Sequence, residues 1–427
     1  MKLIRFGEGG AEKPGLNFPP NNLMISVADA TRLIQTNAKP SPIEEVSLTE
    51  AQGRILREPI QADRDFPPFH RVTMDGIAIR FEGLKQGIHS FAIVGEQHAG
   101  SPPQTLTEVA HCLEVMTGTV LPTGTDTVIR YEDIELSERN GQQYAQVNTL
   151  SPNAWHNVHL QGSDRKADDV LLTIGTPLSP ADIGVIASVG KATLKVSKPL
   201  SVAIISTGDE LVDIHELPLP YQIRRSNAYA LSAALTQAGA RTSLFHFHDD
   251  KELLRQALGK LLQQFDCLVL SGGVSMGKAD FIPVVLAELG VEKLFHTVAQ
   301  RPGKPFWFGK STNGQAVFAL PGNPVSTFMC AYRYVLPWLK ACSQQPPAPT
   351  KLAVLAEAVT FKPALTYLMQ VQTYLATDGR RMARPYQGGG SGDLANLIQS
   401  DAFLELPPDR TLFEAGEVFP LWEFRSY

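Results

Sequence analysis

The sequence predicts a multidomain protein of the α/β plus β class, organised around a central α/β domain with a mainly parallel sheet. Its 427 residues allow about three domains at roughly 150 residues each. Between residues 201 and 340, apolar strand-like runs alternate with helix-like segments, and this rhythm predicts right-handed βαβ units. On both sides of this stretch, short alternating runs separated by Gly and Pro indicate smaller β domains.

The composition is that of an ordinary globular protein, with 43% hydrophobic and 19% charged residues. The net charge of −5 argues against a nucleic-acid-binding protein, which usually carries a basic excess. The four cysteines show no CxxC or zinc-ligand spacing, as expected for a reducing compartment. The N-terminus lacks the apolar core of a signal peptide, and no apolar run approaches the roughly 20 residues that span a bilayer. We therefore expect a cytoplasmic protein.

The segments outside the α/β stretch are predicted from capping signals and from alternation. Residues 1–22 form a polar tail rich in Gly and Pro. Ser26 is a plausible N-cap for the helix that follows it, and the Ser47–Glu50 spacing predicts a second helix start. Between residues 77 and 150, several runs alternate like strands and predict a small all-β unit. Beyond the Pro-rich linker at 343–350, short strands return and predict a β-barrel or sandwich.

Each element of the α/β stretch has its own signal. The strands are continuous apolar runs, which are typical of strands covered on both faces. The helices carry caps or terminal glycines, such as Ser226 at the start and Gly239 at the end of the first one. The predicted strands are SVAIIST, RTSLFHF, DCLVL and QAVFAL, and the helices that follow them are SNAYALSAALTQAG, DDKELLRQALGKLLQQF, DFIPVVLAELG and PVSTFMCAYRYVLPWL.

Polar residues collect in the loops that follow these strands. Because ligands of an open parallel sheet bind beyond the carboxyl ends of its strands, the loops predict one shared ligand site. They are Thr207–Glu210, His248–Asp250, Ser271–Asp280 and Pro321–Pro324, together with the segment Arg301–Pro305. Turn formation explains their Gly, Pro and Asn residues. It does not explain carboxylates in three loops with Lys and Arg beside them.

The loop after the third strand has the composition of a phosphate-binding loop. Ser271–Gly273 allow backbone N–H groups to approach an anion closely, and a helix N-terminus follows. The segment Gly272–Lys278 also matches the start of a Walker A loop, G-x-x-x-x-G-K. That motif then requires Ser or Thr, whereas this chain has Ala279, so a P-loop kinase is only an alternative. Asp280 could supply the metal carboxylate instead.

Cations and further acids complete the predicted site. Arg301 and Lys304 lie in the Pro-stiffened segment RPGKP and predict a two-cation site for an oxyanion. Carboxylates and histidines that could bind a metal follow the first two strands: Asp209, Glu210, His246, His248, Asp249 and Asp250. For the histidines we favour the alternative that they occupy the polar end of a strand, while an aspartate caps the next helix. His156 and His159 have no acidic or Cys partner at ligand spacing and are predicted to be surface or interface residues.

Eight motifs occur in a fixed order along the chain: FPPFHRVTMDG, MTGTVLP, QGSDR, TGDEL, SGGVSMGKADF, RPGKPFWFG, LPGNPVS and GSGDLANL. Together they resemble the molybdopterin molybdenumtransferases, the molybdenum insertases of molybdenum cofactor biosynthesis. Each motif alone is weak. The set, however, extends from about Ile25 to the C-terminus and includes every predicted domain.

The resemblance implies four domains and a homodimer. The domains are an elongated discontinuous domain I at 23–51 and 153–197, a small β domain II at 52–152, a three-layer α/β molybdopterin-binding domain III at 198–345, and a β-barrel-like domain IV at 346–427. In the implied dimer, the α/β domain of one subunit faces the β domain of the other. Transient contact with the adenylyltransferase or with cofactor-accepting enzymes is also expected. We expect no nucleic-acid partner and no membrane partner.

The implied reaction inserts molybdenum from molybdate into adenylylated molybdopterin. It hydrolyses the adenylyl phosphoanhydride in a Mg²⁺-dependent step and yields molybdenum cofactor and AMP. The implied catalytic residues are Asp75, Asp164, Glu210 and Asp280, and the implied Mg²⁺ ligands are Asp280, Asp249 and Glu210. Asp75 would act as a general base or metal-linked group from the opposing subunit. The implied substrate-binding residues are Thr117, Gly118, Ser271, Gly272, Gly273, Ser275, Gly277, Arg301, Lys304, Pro321, Gly322, Asn323, Ser326 and Ser391, and Arg384 is a further candidate for the oxyanion site.

The sequence departs from the family pattern at three places. Arg301 stands where the family often has Lys, HRVTMDG replaces the common DNSAMDG, and QGSDR replaces a more usual RRGED. The last two changes alter the neighbourhoods of Asp75 and Asp164. Two alternative functions follow from related proteins: a molybdopterin adenylyltransferase, which is usually a single domain, and a non-catalytic dimeric scaffold. The retained carboxylates argue for catalysis.

Overall fold

The computed structural model describes residues 24–148, 153–274, 281–386 and 388–425, which divide into two compact units. The large unit comprises Met1–Ile43 and Ser197–Tyr427, and the small unit comprises Glu44–Val196. Within the described residues, six hydrophobic clusters are buried, and each draws its residues from one unit. Among the helices of the described ranges, none is long and apolar enough to cross a membrane.

The first helix and the strands of the small unit follow one another along the N-terminal half of the chain. The helices are α1 (Val27–Thr36), which belongs to the large unit, α2 (Phe81–Lys85) and α3 (Pro180–Ser188). The strands are β1 (Ile43–Ser47), β2 (Ile60–Gln61), β3 (Arg71–Val72), β4 (Gly76–Ile79), β5 (Ser90–Gln97), β6 (His111–Val115), β7 (Thr127–Arg130), β8 (Ile134–Arg139), β9 (Gln142–Val147), β10 (Val158–His159), β11 (Val170–Leu172) and β12 (Thr193–Ser197).

The small unit is built mainly on one six-stranded sheet, in the order β7-β4-β6-β5-β9-β8. Strands β5 and β6 are parallel, and the other neighbours are antiparallel. Strand β4 is buried on both faces, because Ile77 and Ile79 enter one hydrophobic cluster and Ala78 enters another. Short two-stranded pairs, β2-β11 and β3-β10, accompany the sheet. The second of these pairs borders the loop that carries Asp75.

The α/β part of the large unit contains a six-stranded sheet and five helices in the described residues. Its strands are β13 (Ser201–Thr207), β14 (Leu211–Val212), β15 (Ile223–Arg224), β16 (Arg241–Phe247), β17 (Cys267–Ser271), β18 (Glu292–His296), β19 (Gln300–Arg301), β20 (Trp307–Lys310) and β21 (Ala316–Leu320). Its helices are α4 (Ser226–Gln237), α5 (Lys251–Gln264), α6 (Ile282–Glu288), α7 (Pro324–Cys330) and α8 (Leu336–Cys342).

The sheet order β16-β13-β17-β21-β20-β18 confirms the predicted mainly parallel sheet. The first four strands are parallel, and β20 and β18 are antiparallel. The alternation of β13 explains the three layers: Val202 and Ile204 pack toward α1, α4, α7 and α8, whereas Ala203 and Ile205 pack toward α5 and α6. Because helices cover both faces, the strand has no solvent-facing side and needs no alternating polar residues.

The C-terminal part of the large unit is a small closed barrel, as predicted. Its strands are β22 (Leu352–Leu355), β23 (Val359–Thr360), β24 (Thr366–Leu375), β25 (Arg381–Pro385), β26 (Ala402–Leu406), β27 (Leu412–Phe413) and β28 (Val418–Glu423), and its helix is α9 (Asn396–Gln399). The order β24-β25-β22-β28-β26 closes by pairing β26 with β24. Strand β19 adds to the edge of β24, with Arg301 opposite Tyr367.

Two local predictions differ from the structure. The helix start expected at Ser47 is wrong, because only a single 3₁₀ turn forms at Leu48–Glu50. The Ser47 hydroxyl donates to the Glu50 carboxylate at 2.7 Å instead of accepting a backbone N–H, and Ala51 after the turn is buried. Ser226 is the first residue of α4 rather than its cap. The predicted tail at 1–22 lies outside the described residues.

Candidate functional site

A cavity of about 860 Å³ opens in the large unit at the carboxyl ends of the parallel strands. The loops after β13, β16, β17 and β21 line it, together with the Arg301–Pro305 segment and one wall of the barrel. The structure therefore brings many of the predicted site residues into one cavity: Glu210, Asp249, Gly272, Gly273, Arg301, Lys304, Pro321, Gly322, Asn323, Ser326 and Ser391. Ser275, Gly277 and Asp280 lie outside the described residues.

The two glycines after β17 take backbone conformations that favour glycine. The φ angles are +99° at Gly272 and +68° at Gly273. A Cβ atom on Gly273 would lie 2.7 Å from Cγ1 of Ile282 and 3.0 Å from Oγ1 of Thr207. The Gly272 N–H is already used, because it donates to the Leu320 carbonyl at 3.3 Å. The backbone conformation and the packed neighbours therefore both require glycine at position 273 in the wall of the cavity.

Asn227 fixes the glycine loop, and the sequence analysis missed it. Its side-chain amide donates to Oγ of Ser271 at 2.9 Å and to the Gly322 carbonyl at 2.8 Å. One residue of α4 thus ties the end of β17 to the loop after β21. Ser271 itself is buried and serves as an acceptor in this network. The sequence indicated the importance of Asn227 only weakly, as a polar residue in the first turn of a helix near the loops that follow the strands.

The two predicted cations sit on a segment held by a buried glutamine. The amide of Gln300 donates to the Gly303 carbonyl at 3.0 Å, and its oxygen accepts from the Tyr334 hydroxyl. Gly303 has φ +86°, and a Cβ there would meet Sγ of Cys330 at 2.9 Å. This packing holds Arg301 and Lys304 at the cavity with exposed side chains. Two cations at fixed positions suit the binding of an oxyanion.

The start of α7 joins the barrel to the α/β part at the cavity. The Asn323 amide donates to Oγ of Ser391 at 2.9 Å, and the Val325 N–H donates to the Ser391 carbonyl at 3.1 Å. Ser391 therefore lies beside the loop after β21, although it is far away in sequence. Arg384, in contrast, does not line the cavity. It forms an exposed ion pair with Glu357 at 3.5 Å and lies over the ring of Tyr374, so the structure does not bring it to the cavity with the other predicted oxyanion-site residues.

Two of the predicted metal ligands reach the cavity. Glu210 and Asp249 both line it. Asp250 instead caps α5, where its carboxylate accepts from the Leu253 N–H at 2.8 Å. In the residues that the structure describes, no group of three or more His, Cys, Asp or Glu side chains could hold a metal by itself. Hard carboxylate oxygens with few protein ligands are the donor set that Mg²⁺ accepts when a phosphate completes its shell.

The histidines at the end of β16 take part in local hydrogen bonds. Nδ1 of His246 lies 3.2 Å from the Ser206 carbonyl, and burial lowers the pKa of this imidazole. Nδ1 of His248 lies 2.9 Å from Oδ1 of Asp209, and both side chains are exposed. Both histidines therefore lie at the end of β16 and make local hydrogen bonds. This is the alternative to metal binding that the sequence analysis favoured.

In the small unit, the predicted residues Asp75 and Thr117 are in direct contact. The Asp75 carboxylate accepts from the Thr117 N–H at 2.6 Å and from its hydroxyl at 2.8 Å. The backbone bond first, and the hydroxyl bond second, lower the pKa of Asp75 below its ordinary value. A Cβ at Gly76 would lie 1.9 Å from the Ile129 carbonyl oxygen, which explains the glycine after Asp75. Asp75 is therefore an exposed, ionised and oriented carboxylate.

Asp164 is the end of a short hydrogen-bonded chain in the small unit. Its Oδ1 lies 2.8 Å from Nε2 of His159, and Nδ1 of His159 lies 3.0 Å from Nη2 of Arg71. A guanidinium can only donate, so Nδ1 accepts and the proton resides on Nε2, which donates to Asp164. His159 thus has the acidic partner that the sequence analysis did not assign to it.

Three family models together match most of the chain. The MoeA N-terminal region (domain I and II) matches residues 25–190, the probable molybdopterin binding domain matches residues 203–341, and the MoeA C-terminal region (domain IV) matches residues 352–424. With the sheet order and the closed barrel described above, these matches define a multidomain α/β enzyme with a C-terminal barrel-like domain.

Relatives and solved structures agree with this class. Molybdopterin molybdenumtransferase from Synechocystis sp. is 38% identical over 401 residues, which are 93% of this chain and 100% of the relative. The enzyme of the same name from Haemophilus influenzae is 30% identical over 92% of this chain and 97% of the relative. The molybdopterin biosynthesis MoeA protein from Pyrococcus horikoshii has a TM-score of 0.81 and 30% identity, over 95% of this chain and 100% of that one. The chain belongs to the molybdopterin molybdenumtransferase family and is a transferase.

Proposed function

We propose that this protein inserts molybdenum from molybdate into adenylylated molybdopterin and hydrolyses the adenylyl phosphoanhydride, releasing molybdenum cofactor and AMP. The observation that supports the proposal is the convergence of a glycine loop, two cations and two carboxylates in one cavity. Such a cavity can hold a phosphoanhydride and an oxyanion side by side. Relatives named molybdopterin molybdenumtransferase match the chain over its α/β, β and barrel parts, which favours insertion over the adenylyltransferase alternative.

Different residues of the cavity would bind the two anionic substrates. Arg301 and Lys304 would bind molybdate, because their charges match those of a dianion. The loop at Gly272 and Gly273, which carries no side chains, would let the phosphoanhydride approach the backbone closely. Glu210 and Asp249 would hold Mg²⁺ with the substrate phosphates, and Mg²⁺ would offset the charge that develops during hydrolysis. We also propose that Asp280 binds this Mg²⁺ and that Ser275 and Gly277 bind the substrate phosphates.

Asp75 would orient the attacking water. Its lowered pKa keeps the carboxylate ionised at neutral pH, so it can accept a hydrogen bond from water. A low pKa also makes it a weak base, which favours orientation of the water over full proton abstraction. We propose that the protein is a homodimer and that Asp75 serves the cavity of the opposing subunit. Asp164, held by His159, would have a supporting acidic role.

The test is AMP release by the full-length protein from adenylyl-molybdopterin and Mg²⁺, with and without molybdate. We expect release to depend on molybdate and to yield active cofactor. Asp75→Asn should lower the rate by about 10²-fold or more, because the carboxylate that orients the attacking water is lost. Asp63→Asn is the matched control, because Asp63 is an exposed carboxylate that pairs with its neighbour Arg64. Accumulation of adenylyl-molybdopterin from molybdopterin and ATP would instead assign the adenylyltransferase activity.

A further inference from the structure

The small unit contains a hydrogen-bonded chain of three side chains, Arg71, His159 and Asp164. Strands β3 and β10 are antiparallel and place Arg71 directly opposite His159. Nη2 of Arg71 lies 3.0 Å from Nδ1 of His159, and Nε2 of His159 lies 2.8 Å from Oδ1 of Asp164. A guanidinium has only donors, so the bond requires an unprotonated Nδ1. The chain therefore contains a neutral imidazole whose single proton is on Nε2.

The chain ends at a carboxylate that a ligand can reach. The side chain of Asp164 is 54% exposed. Among the described residues, the side-chain bonds to this carboxylate both go to Oδ1, from His159 at 2.8 Å and from the Ser163 hydroxyl at 3.4 Å. The main chain is fixed separately, because the Asp164 N–H donates to the Phe66 carbonyl at 2.9 Å. The carboxylate is thus held in place while Oδ2 remains available.

Strand β3 also connects this chain to the other predicted acid of the small unit, Asp75. Val72, the second residue of the strand, is buried. Its N–H donates to the Thr119 carbonyl at 3.0 Å, and its carbonyl accepts from the Gly118 N–H at 2.9 Å. Gly118 follows Thr117, which donates two hydrogen bonds to Asp75. One short strand thus helps to fix the positions of both acids.

We propose that Arg71 is a positioning residue for the reaction. It holds His159 as the neutral tautomer with the proton on Nε2, and His159 then orients Asp164 without offsetting its negative charge. A protonated imidazole would form an ion pair with the carboxylate and reduce that charge. Oδ2 of Asp164 accepts a hydrogen bond from the substrate or from water. The inference rests on the proposed function, in which Asp164 supports the hydrolysis.

The first measurement is the tautomer of His159 in the full-length protein, by ¹⁵N NMR of histidine-labelled protein at neutral pH. The variant His159→Gln identifies its signals among those of the ten histidines. We expect an unprotonated Nδ1 and a protonated Nε2 in the wild type and in Arg71→Lys, because both side chains only donate. Arg71→Glu replaces the donor by an acceptor, so both ring nitrogens should be protonated in that variant.

The second measurement is the steady-state kinetics of molybdate-dependent AMP release. Arg71→Glu should lower kcat about tenfold or more, because the imidazolium offsets the charge of Asp164 and disturbs its orientation. Arg71→Lys should restore most of the wild-type kcat. The thermal midpoint of Arg71→Glu should equal that of the wild type, because Arg71 is exposed.

Arg165→Glu is the matched control for the reversal of charge. Arg165 is also an exposed arginine, and it donates to the main-chain carbonyl of Asp164 at 2.7 Å rather than to the carboxylate. Both reversals place a negative charge near Asp164, so both should raise the KM for an anionic substrate. Only Arg71→Glu should lower kcat, because only Arg71 bonds to the ring of His159 in the chain described above.

The tautomer is measured without turnover, which separates this inference from the proposed function. A wild-type His159 protonated on Nδ1 overturns the inference at any level of activity. An Arg71→Glu variant with the same kcat as Arg165→Glu also overturns it. A loss of kcat accompanied by a lower thermal midpoint does so too, because the role of Arg71 would then be structural. Expected tautomers in a wild type that releases no AMP overturn the proposed function, while the control of His159 by Arg71 stands.

Discussion

At the scale of single residues, Gly273 shows why a position in the wall of the cavity requires glycine. Its φ of +68° lies in the left-handed region, which other residues adopt only at a cost. The space around it is also filled, since Ile282 and Thr207 stand where a Cβ would be. Two separate effects therefore require glycine here. They can be separated, because Gly379 has a similar φ of +82° and nothing within 4 Å of its Cβ position.

Gly379→Ala should lower the free energy of unfolding by about 1–2 kcal/mol, the cost of a left-handed non-glycine residue. Gly273→Ala should lower it by about 1–3 kcal/mol more, because the added methyl group crowds Ile282 and Thr207. Urea titration of both variants and the wild type measures the difference. Equal losses for the two variants would show that the neighbours of Gly273 yield without cost and that only the backbone conformation matters.

Individual residues also show which parts of the candidate site could be predicted from the sequence and which could not. Gly272, Arg301 and Lys304 were placed in the cavity because motif order and the position of their loops beside the strand ends both point to them. Ser391 was placed there by the family resemblance alone. Asn227 was missed, because its importance arises from hydrogen bonds to two loops that are distant in sequence. Gln370, which also lines the cavity, was missed for a similar reason. Which barrel side chains face the cavity depends on the pairing of β19 with β24, and no local pattern reveals that pairing.

At the scale of elements, a π-helical turn links the α/β part to the barrel. The turn spans Ala331–Val335, between α7 and α8. Pro337 lacks the N–H that would bond to the Arg333 carbonyl four residues earlier, and this disturbs the regular α-helical pattern. Arg333 projects from the turn and pairs with Glu405 of β26 at 2.7 Å, over the ring of Trp422 at 4.3 Å. The barrel is thus joined to the helix by a mostly buried ion pair.

Arg333→Met should lower the free energy of unfolding by about 3–5 kcal/mol, because it leaves the Glu405 carboxylate in a largely buried position without its cation. The double variant Arg333→Met/Glu405→Met should be more stable than this single variant, since no uncompensated charge remains. Arg255→Met is the control, because Arg255 forms an exposed pair with Glu252, and its change should stay within about 0.5 kcal/mol. Urea titrations check all three. A double variant no more stable than Arg333→Met would contradict a charge-burial origin.

The predicted elements agree with the structure wherever one pattern dominates. The run SVAIIST forms β13 over the predicted residues, and ADIGVIASVG begins within α3 after the capping box at Ser179. The helix expected after Ser47 failed, although Ser47 and Glu50 have the correct spacing. Their side chains bond to each other there, and the turn ends after three residues. Capping signals mark where a helix can start, whereas packing decides whether it continues.

At the scale of the whole molecule, the chain crosses between the two units twice, and the two crossings lie close together. The Lys198 N–H donates to the Pro42 carbonyl at 2.8 Å, just outside the boundaries at Ile43 and Ser197. Every hydrophobic cluster of the described residues belongs to one unit. The small unit is thus an insertion into the large one. If the small unit is removed, a short linker can join the two chain ends that the removal creates in the large unit.

Replacing residues 44–196 by Gly-Gly should therefore give a large unit that folds cooperatively and still binds molybdate, because its cores and its cavity are retained. AMP release should be lost, because Asp75 is removed with the small unit. Near-ultraviolet circular dichroism, urea unfolding and calorimetric titration of molybdate measure the three properties. The same excision with Arg301→Ala is the control for specific anion binding and should bind molybdate more weakly. A folded excision variant that released AMP at the wild-type rate would show that the chemistry resides entirely in the large unit. One without a cooperative transition would show that the large unit depends on the small one for its stability.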